Sequence, residues 1–228
     1  MPTRTTPQAL LTISAAALWM CISTIGCSSS KPDPQGQVAV GGESDNAQND
    51  SAPGTDDKSD AEDKATPMYS TEAFLAAARD GKYRVVEVCL DSAMDVNSTD
   101  PQGLTPLAMA AYNAHVDIIK LLLKNNATVD SVDRMGMTPL IHAASCPEKT
   151  APEACKILID AGADIAAVGG EENWTALMMA AAEGNLEVVE MLLSNGANKD
   201  TVDTDGESAA DFAVEKGHFE IVKLLESK

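Results

Sequence analysis

Apolar residues in the second half of the chain return in two alternating patterns. One is short and built on small residues. Gly103-Leu104-Thr105-Pro106-Leu107 is followed by Ala110-Ala111, and Gly136-Met137-Thr138-Pro139-Leu140 by Ala143-Ala144. The block returns as Asn173-Trp174-Thr175-Ala176-Leu177 with Ala180-Ala181, and again around Gly206-Glu207-Ser208-Ala209-Ala210. The other pattern is bulky. Val85, Val86, Val88 and Leu90 open a series continued by Ile118, Ile119 and Leu121–Leu123, by Ile157–Ile159, by Val188, Val189 and Met191–Leu193, and by Ile221, Val222, Leu224 and Leu225. The spacing i, i+3, i+4 within each bulky run predicts a helix with one face toward a core. Thr105 and Thr138 suit a helix N-cap, with Pro106 and Pro139 at the first helical position, where no N–H is missed. Gly162 and Gly196 suit the left-handed residue that ends a helix, and Asn126 substitutes for them. Ser92, taken as the matching place in the first unit, predicts a less regular turn.

Positions 105, 138, 175 and 208 are 33, 37 and 33 residues apart. A period in that range marks stacked helical units, each too small to bury its apolar face alone. The motif resembles the ankyrin repeat: Gly-x-Thr-Pro-Leu-His-x-Ala-Ala, then Gly-His, a bulky second helix, and Gly-Ala. The resemblance implies an all-α solenoid of helix-turn-helix units joined by short β-hairpin loops. Five units are expected, at about 69–99, 100–132, 133–168, 169–202 and 203–228. The first lacks the Thr-Pro opening, and the fifth has Asp211 where the family often has His, so these two read as end units.

The third unit lengthens the period by four residues, and Ser145 to Lys156 carries Pro147 and Pro152 in place of a short turn. Cys146 is expected to end the first helix of that unit and Cys155 to begin the second. In an oxidising compartment they are a candidate disulfide, worth roughly 2–3 kcal/mol by loop closure; the alternative is two thiols, with Cys155 in the core. Cys89, between Val88 and Leu90, reads as a small buried hydrophobe.

The first 68 residues read differently. Ala9 to Ile22 form a 14-residue apolar run after Arg4, which fits the core of an export signal and is short for a membrane span. Thr24-Ile25-Gly26-Cys27 resembles a bacterial lipobox, which implies lipidation of Cys27 at the start of a mature lipoprotein. An uncleaved anchor helix is the alternative, and both place the repeats outside the cytoplasm. By the same resemblance, Ser28 after the cysteine favours the outer membrane. Residues 28–68 are rich in Ser, Asp, Gly, Gln, Pro and Lys, and the segment is expected to be a disordered acidic tether with a reach of ~35 Å.

Charge narrows the partners. The chain carries a formal net charge of −19. Residues 28–67 hold nine acids and three lysines, and the repeat region 26 acids against 12 bases. Such a field excludes nucleic acid and anionic lipid surfaces, and favours a partner that is basic or apolar at its contact surface. No cysteine pair has metal-knuckle or redox spacing. The histidines, His115, His142 and His218, fall in or beside repeat positions. The Asp residues fall at turns. No catalytic, cofactor or metal set emerges.

What remains is a binding surface. The ankyrin resemblance implies partner contacts at the hairpin tips and the inner helix face. Carried onto this sequence, these are Leu104, Met137, Trp174 and Glu207 before each Thr or Ser. Tyr112, Asn113 and Glu183 belong to the inner helices, and Arg134, Met135, Glu171 and Glu172 to the tips. The expected function is a non-enzymatic, monomeric adaptor in the cell envelope, held to the membrane only by its lipid anchor. The alternative is a regulatory or protective subunit of one periplasmic enzyme.

Overall fold

The computed structural model describes residues 69–227; the export-type segment, Cys27 and the acidic segment lie outside them. The described residues form ten helices in five antiparallel pairs. These are α1 Thr71–Arg79 with α2 Tyr83–Asp91, α3 Pro106–Tyr112 with α4 Val116–Lys124, and α5 Pro139–Ala144 with α6 Ala151–Asp160. Then come β1 Val168–Gly169, β2 Trp174–Thr175, α7 Ala176–Glu183 with α8 Leu186–Ser194, and α9 Ala209–Lys216 with α10 Phe219–Ser227. The first helices pack on one another as one layer, and the second helices form another behind them. The fold is the all-α ankyrin solenoid that the repeat pattern implies.

Each first helix begins as the sequence dictates. The hydroxyl oxygens of Thr105, Thr138 and Thr175 accept the amides of Ala108, Ile141 and Met178 at 3.2, 3.4 and 3.2 Å. Pro106 and Pro139 occupy the opening turn. Ser208 shares a reciprocal cap with Asp211, whose Oδ2 accepts the Ser208 amide at 2.8 Å and its hydroxyl at 2.6 Å. Those hydrogen bonds hold the Asp211 carboxyl below its usual range. The alanines that follow, Ala110-Ala111, Ala143-Ala144 and Ala180-Ala181, are wholly buried. Behind them the bulky series supplies the core: Val86, Cys89, Ile119, Leu122, Leu158, Val188, Val189 and Leu192 have no exposed surface.

The helix-ending residues fall where the pattern places them, with one shift. Asn126, Gly162 and Gly196 have φ of 63°, 92° and 90°. In the first unit the left-handed residue is Ala93, at φ 57°. Ser92 precedes it with φ −84° and donates its hydroxyl hydrogen to the Val88 carbonyl at 2.8 Å. The four extra residues of the third period are also divided. Leu122 to Leu158 spans 36 residues rather than 33, so three lie in the turn between α5 and α6. Gly162 to Asn173 spans 11 residues where Asn126 to Gly136 and Gly196 to Gly206 span 10, so the fourth lies in the hairpin.

A histidine strap joins neighbouring units at two junctions. His115 Nε2 lies 2.9 Å from the Arg79 carbonyl, and His218 Nε2 lies 3.0 Å from the Ala182 carbonyl. Each ring covers a glycine of the preceding unit. A Cβ on Gly81 would lie 2.8 Å from the His115 ring, and one on Gly184 would lie 2.5 Å from that of His218. Ala114 holds the same left-handed turn at φ 49°, and no histidine follows in the third unit, where the enlarged turn replaces it. Among the described residues no helix is long and apolar enough to cross a membrane.

Gly184→Ala is expected to cost ~2 kcal/mol, because strain at positive φ adds to the clash with a hydrogen-bonded ring. Ala114→Gly is expected to change stability by less than about 1 kcal/mol, since relief of strain and the gain in unfolded-chain freedom oppose each other. Urea unfolding of both variants checks the pair.

Candidate protein-binding surface

Between units the chain forms short fingers, and an aspartate holds each regular one. Asp100 Oδ1 accepts the amides of Gln102 and Leu104, both at 2.8 Å. Asp133 Oδ1 accepts those of Met135 and Met137 at 2.8 and 2.9 Å, and Asp203 Oδ1 those of Asp205 and Glu207, both at 2.9 Å. The fourth unit has Gly169-Gly170 there, and its finger is the paired strands β1 and β2, with Val168 opposite Thr175 and Gly169 opposite Trp174. Successive fingers are tied through their backbones. Arg134 donates to the Gln102 carbonyl at 2.9 Å, Gly170 to that of Met135 at 2.6 Å, and Thr204 to that of Glu172 at 3.0 Å.

The expected contact residues divide on this frame. Arg134, Met135 and Glu171 are exposed on neighbouring fingers, while Glu172, Leu104 and Glu207 are half-buried. Tyr112 and Asn113 are half-buried at the end of α3, where the Asn113 side-chain amide donates to the Met109 carbonyl at 2.9 Å. Glu183 is half-buried at the end of α7; burial pushes its carboxyl up, against the pull of His218 and Lys216. Glu207 is pushed up as well, by burial and then by the carboxylates of Asp203, Glu215, Asp205 and Asp211.

Two expected contact residues are not at the surface. Met137 is 0% exposed and Trp174 4%. Met137 lies under the next finger: a Cβ on Gly169 would come within 2.7 Å of its sulfur. Trp174 packs beneath Gly170 of its own finger, whose Cβ would lie 3.6 Å from the indole. Cys146 and Cys155, the pair expected at the ends of the enlarged turn, are 1% and 0% exposed. Burial, with Cys146 nearby, pushes the Cys155 thiol up to about 12. A thiol so far from ionisation behaves as a packed apolar group.

The structure adds residues that the motif does not single out. Val132, Val168 and Val202 each stand at the base of a finger, directly before Asp133, Gly169 and Asp203, and remain 60%, 47% and 51% exposed. Their signal in the sequence is one β-branched residue per period, in front of each turn. A buried pair underlies the same face. His142 Nε2 lies 3.0 Å from Asp133 Oδ2, with side chains 7% and 6% exposed. Tyr112 meets the imidazole edge-on, with centroids 6.0 Å apart. This pair fastens the third finger to α5. No group of three or more His, Cys, Asp or Glu side chains suited to a metal occurs among the described residues.

Residues 74–169 and 152–228 match the family model for ankyrin repeats (3 copies). The chain belongs to the ankyrin-repeat family. Ankyrin repeats are protein-interaction modules, which accords with a surface of exposed fingers. The repeats are also similar to a stretch of the glycerophosphocholine phosphodiesterase gde1 of Schizosaccharomyces pombe, 31% identical over 163 residues, covering 71% of this chain and 14% of that protein. The ankyrin repeat protein nuc-2 of Neurospora crassa is 36% identical over 74 residues, covering 32% of this chain and 7% of nuc-2. The probable E3 ubiquitin-protein ligase XBOS34 of Oryza sativa subsp. japonica is 39% identical over 74 residues, or 32% of this chain and 14% of that protein. The chain therefore spans about a seventh or less of the length of these curated relatives.

Burial works to raise the Asp133 pKa, but the hydrogen bonds from His142 and from the Met137 and Met135 amides outweigh it and hold the carboxyl below its usual range. A folded value below the unfolded one gives stability that is present above about pH 3.9 and is lost as pH falls through the folded value. Asp133→Asn is expected to cost about 2 kcal/mol at neutral pH. It should also flatten the acid limb of a plot of unfolding free energy against pH.

Proposed function

We propose that this ankyrin-repeat chain is a non-enzymatic adaptor of the bacterial cell envelope, lipid-anchored through Cys27. It binds another protein through its fingers and the adjoining ends of the first helices. The observation that carries the binding role is the set of exposed side chains on backbone-linked fingers, Arg134 and Met135 beside Glu171. Loops positioned by a rigid scaffold are common sites of recognition, and here the aspartate-held turns supply the rigidity. The tether reading rests on the apolar run Ala9 to Ile22, the Gly26-Cys27 step and the acidic stretch after it. In that setting the acidic stretch holds the repeats off the membrane. Cys146 and Cys155 are the thiols that an oxidising compartment would join.

Crosslinking in intact cells, followed by purification of the full chain, tests the adaptor reading. A protein partner is expected in the membrane fraction, and Met135→Lys combined with Glu171→Lys should reduce its recovery about tenfold without loss of helix content, as for a central contact. Unchanged recovery with the variant would remove the fingers from the interface. A single enzyme held at one-to-one stoichiometry would turn the reading toward a regulatory subunit. Intact mass of the protein from membranes, alkylated without reductant, is expected to show acyl chains on Cys27 and no alkylation at Cys146 or Cys155. A Cys27→Ser protein that stays in the membrane fraction would defeat the lipid anchor.

A further inference from the structure

We infer that the finger row docks a positively charged protein segment that presents apolar side chains between its basic ones, with Val132, Val168 and Val202 as the apolar contacts. This rests on the reading of the fingers as a protein-binding surface and names the chemistry of what they bind.

Three observations carry it. Isolated exposed apolar residues are ordinary on any surface. These valines are not isolated, because they hold equivalent places in three consecutive units. Val168 faces Thr175 across its hairpin, Val202 bridges to Ser208, and Val132 precedes Asp133 at the same place in its own finger. The backbone bonds between neighbouring fingers keep them in file.

The second observation is the charge around the file. Segments 95–104, 129–137, 164–174 and 198–207 hold eleven acids and two bases, Arg134 and Lys199. The Lys199 ammonium is engaged at 3.0 Å with the carbonyl of Leu225. Some of the acids are used by the fold, since Asp100, Asp133, Asp164 and Asp203 each accept backbone amides. The carboxylates of Glu171, Glu172, Asp200 and Asp205 accept no hydrogen bond from a side chain or amide among the described residues. They are surplus negative charge beside an apolar file.

The third observation is the cost already present there. Burial and neighbouring carboxylates raise the Glu207 pKa, so an approaching cation would relieve the repulsion on its ionised form. A second copy of this chain would bring the same acids against them, and nucleic acid would bring phosphates. Lysine or arginine offsets the charge, and the valines accept the apolar side chains between.

The full chain titrated with a synthetic ten-residue peptide of alternating lysine and leucine tests this, alongside a glutamate–leucine peptide and a lysine–serine peptide. Binding of the lysine–leucine peptide is expected, with amide shifts confined to the fingers and affinity falling at least about tenfold between low and high salt. Val132→Ser, Val168→Ser and Val202→Ser together should weaken it about tenfold, with Val168→Ser alone giving a fraction of the loss if the triple variant does not fold. The inference is overturned by equal binding to the triple variant, by equal binding of the lysine–serine peptide, by shifts outside the fingers, or by no binding. A crosslinked partner that is retained by the valine variants overturns this inference and leaves the adaptor reading standing. Absence of any crosslinked partner defeats the adaptor reading itself.

Discussion

No unit of this chain can bury its own apolar face. The methyl groups at Ala110-Ala111, Ala143-Ala144 and Ala180-Ala181 let neighbouring first helices approach closely enough to do it together. Everything else follows from that approach. The second helices bring Ile119, Leu122, Leu158, Val189 and Leu192 in behind the alanines, where none has exposed surface. The fingers are then set close enough to exchange backbone hydrogen bonds of 2.6 to 3.0 Å. A larger residue at one alanine position would force neighbouring units apart along their length, and the loss would spread to core, strap and finger.

The junctions are not equivalent. Between the first and second units, and between the fourth and fifth, a histidine ring lies over a glycine and bonds to a carbonyl of the preceding unit. The third unit has no such ring on either side. Its preceding turn carries Ala114, and the second helix of the fourth unit begins at Asn185, whose side chain caps that helix at the Val188 amide. The central junctions rely on other ties. Lys120 reaches Glu153 at 3.0 Å, Asp130 accepts the Asp164 amide at 3.0 Å, and Tyr112 packs on the imidazole that Asp133 holds. Because Lys120–Glu153 is exposed, it adds little.

Local chemistry was legible in the sequence, and neighbour-dependent packing was not. Thr105, Thr138 and Ser208 cap helices because hydroxyl and amide lie within one turn, and the bulky series is buried because its periodicity belongs to one helix. The residue before each Thr looks alike in every unit when read along the chain. Its exposure is decided a unit later. Met137 is covered because the next finger places Gly169 over it, while Glu207 stays half-exposed with no finger following among the described residues. Trp174 is taken inside by the one-residue-longer hairpin, an insertion that the total spacing of 37 had hidden inside the enlarged turn. Cys146 and Cys155 were placed at loop ends by the pattern, which does not report that both are buried in the core.

The acids show why a repeat family's general role becomes specific only at the surface. Asp100, Asp133 and Asp203 look like binding residues by position and charge, yet each is turned inward to satisfy two amides, and a finger without such an acceptor would expose them. The structure therefore fixes these three wherever the finger is regular. The fourth finger, which lacks the aspartate, is freed from that requirement. It satisfies its backbone by strand pairing, and its tip is left to Glu171 and Glu172. The least regular finger is thus the one whose charge is least committed to the fold. Recognition can vary at that finger with little penalty to stability, flanked by valines that the hairpin geometry keeps exposed.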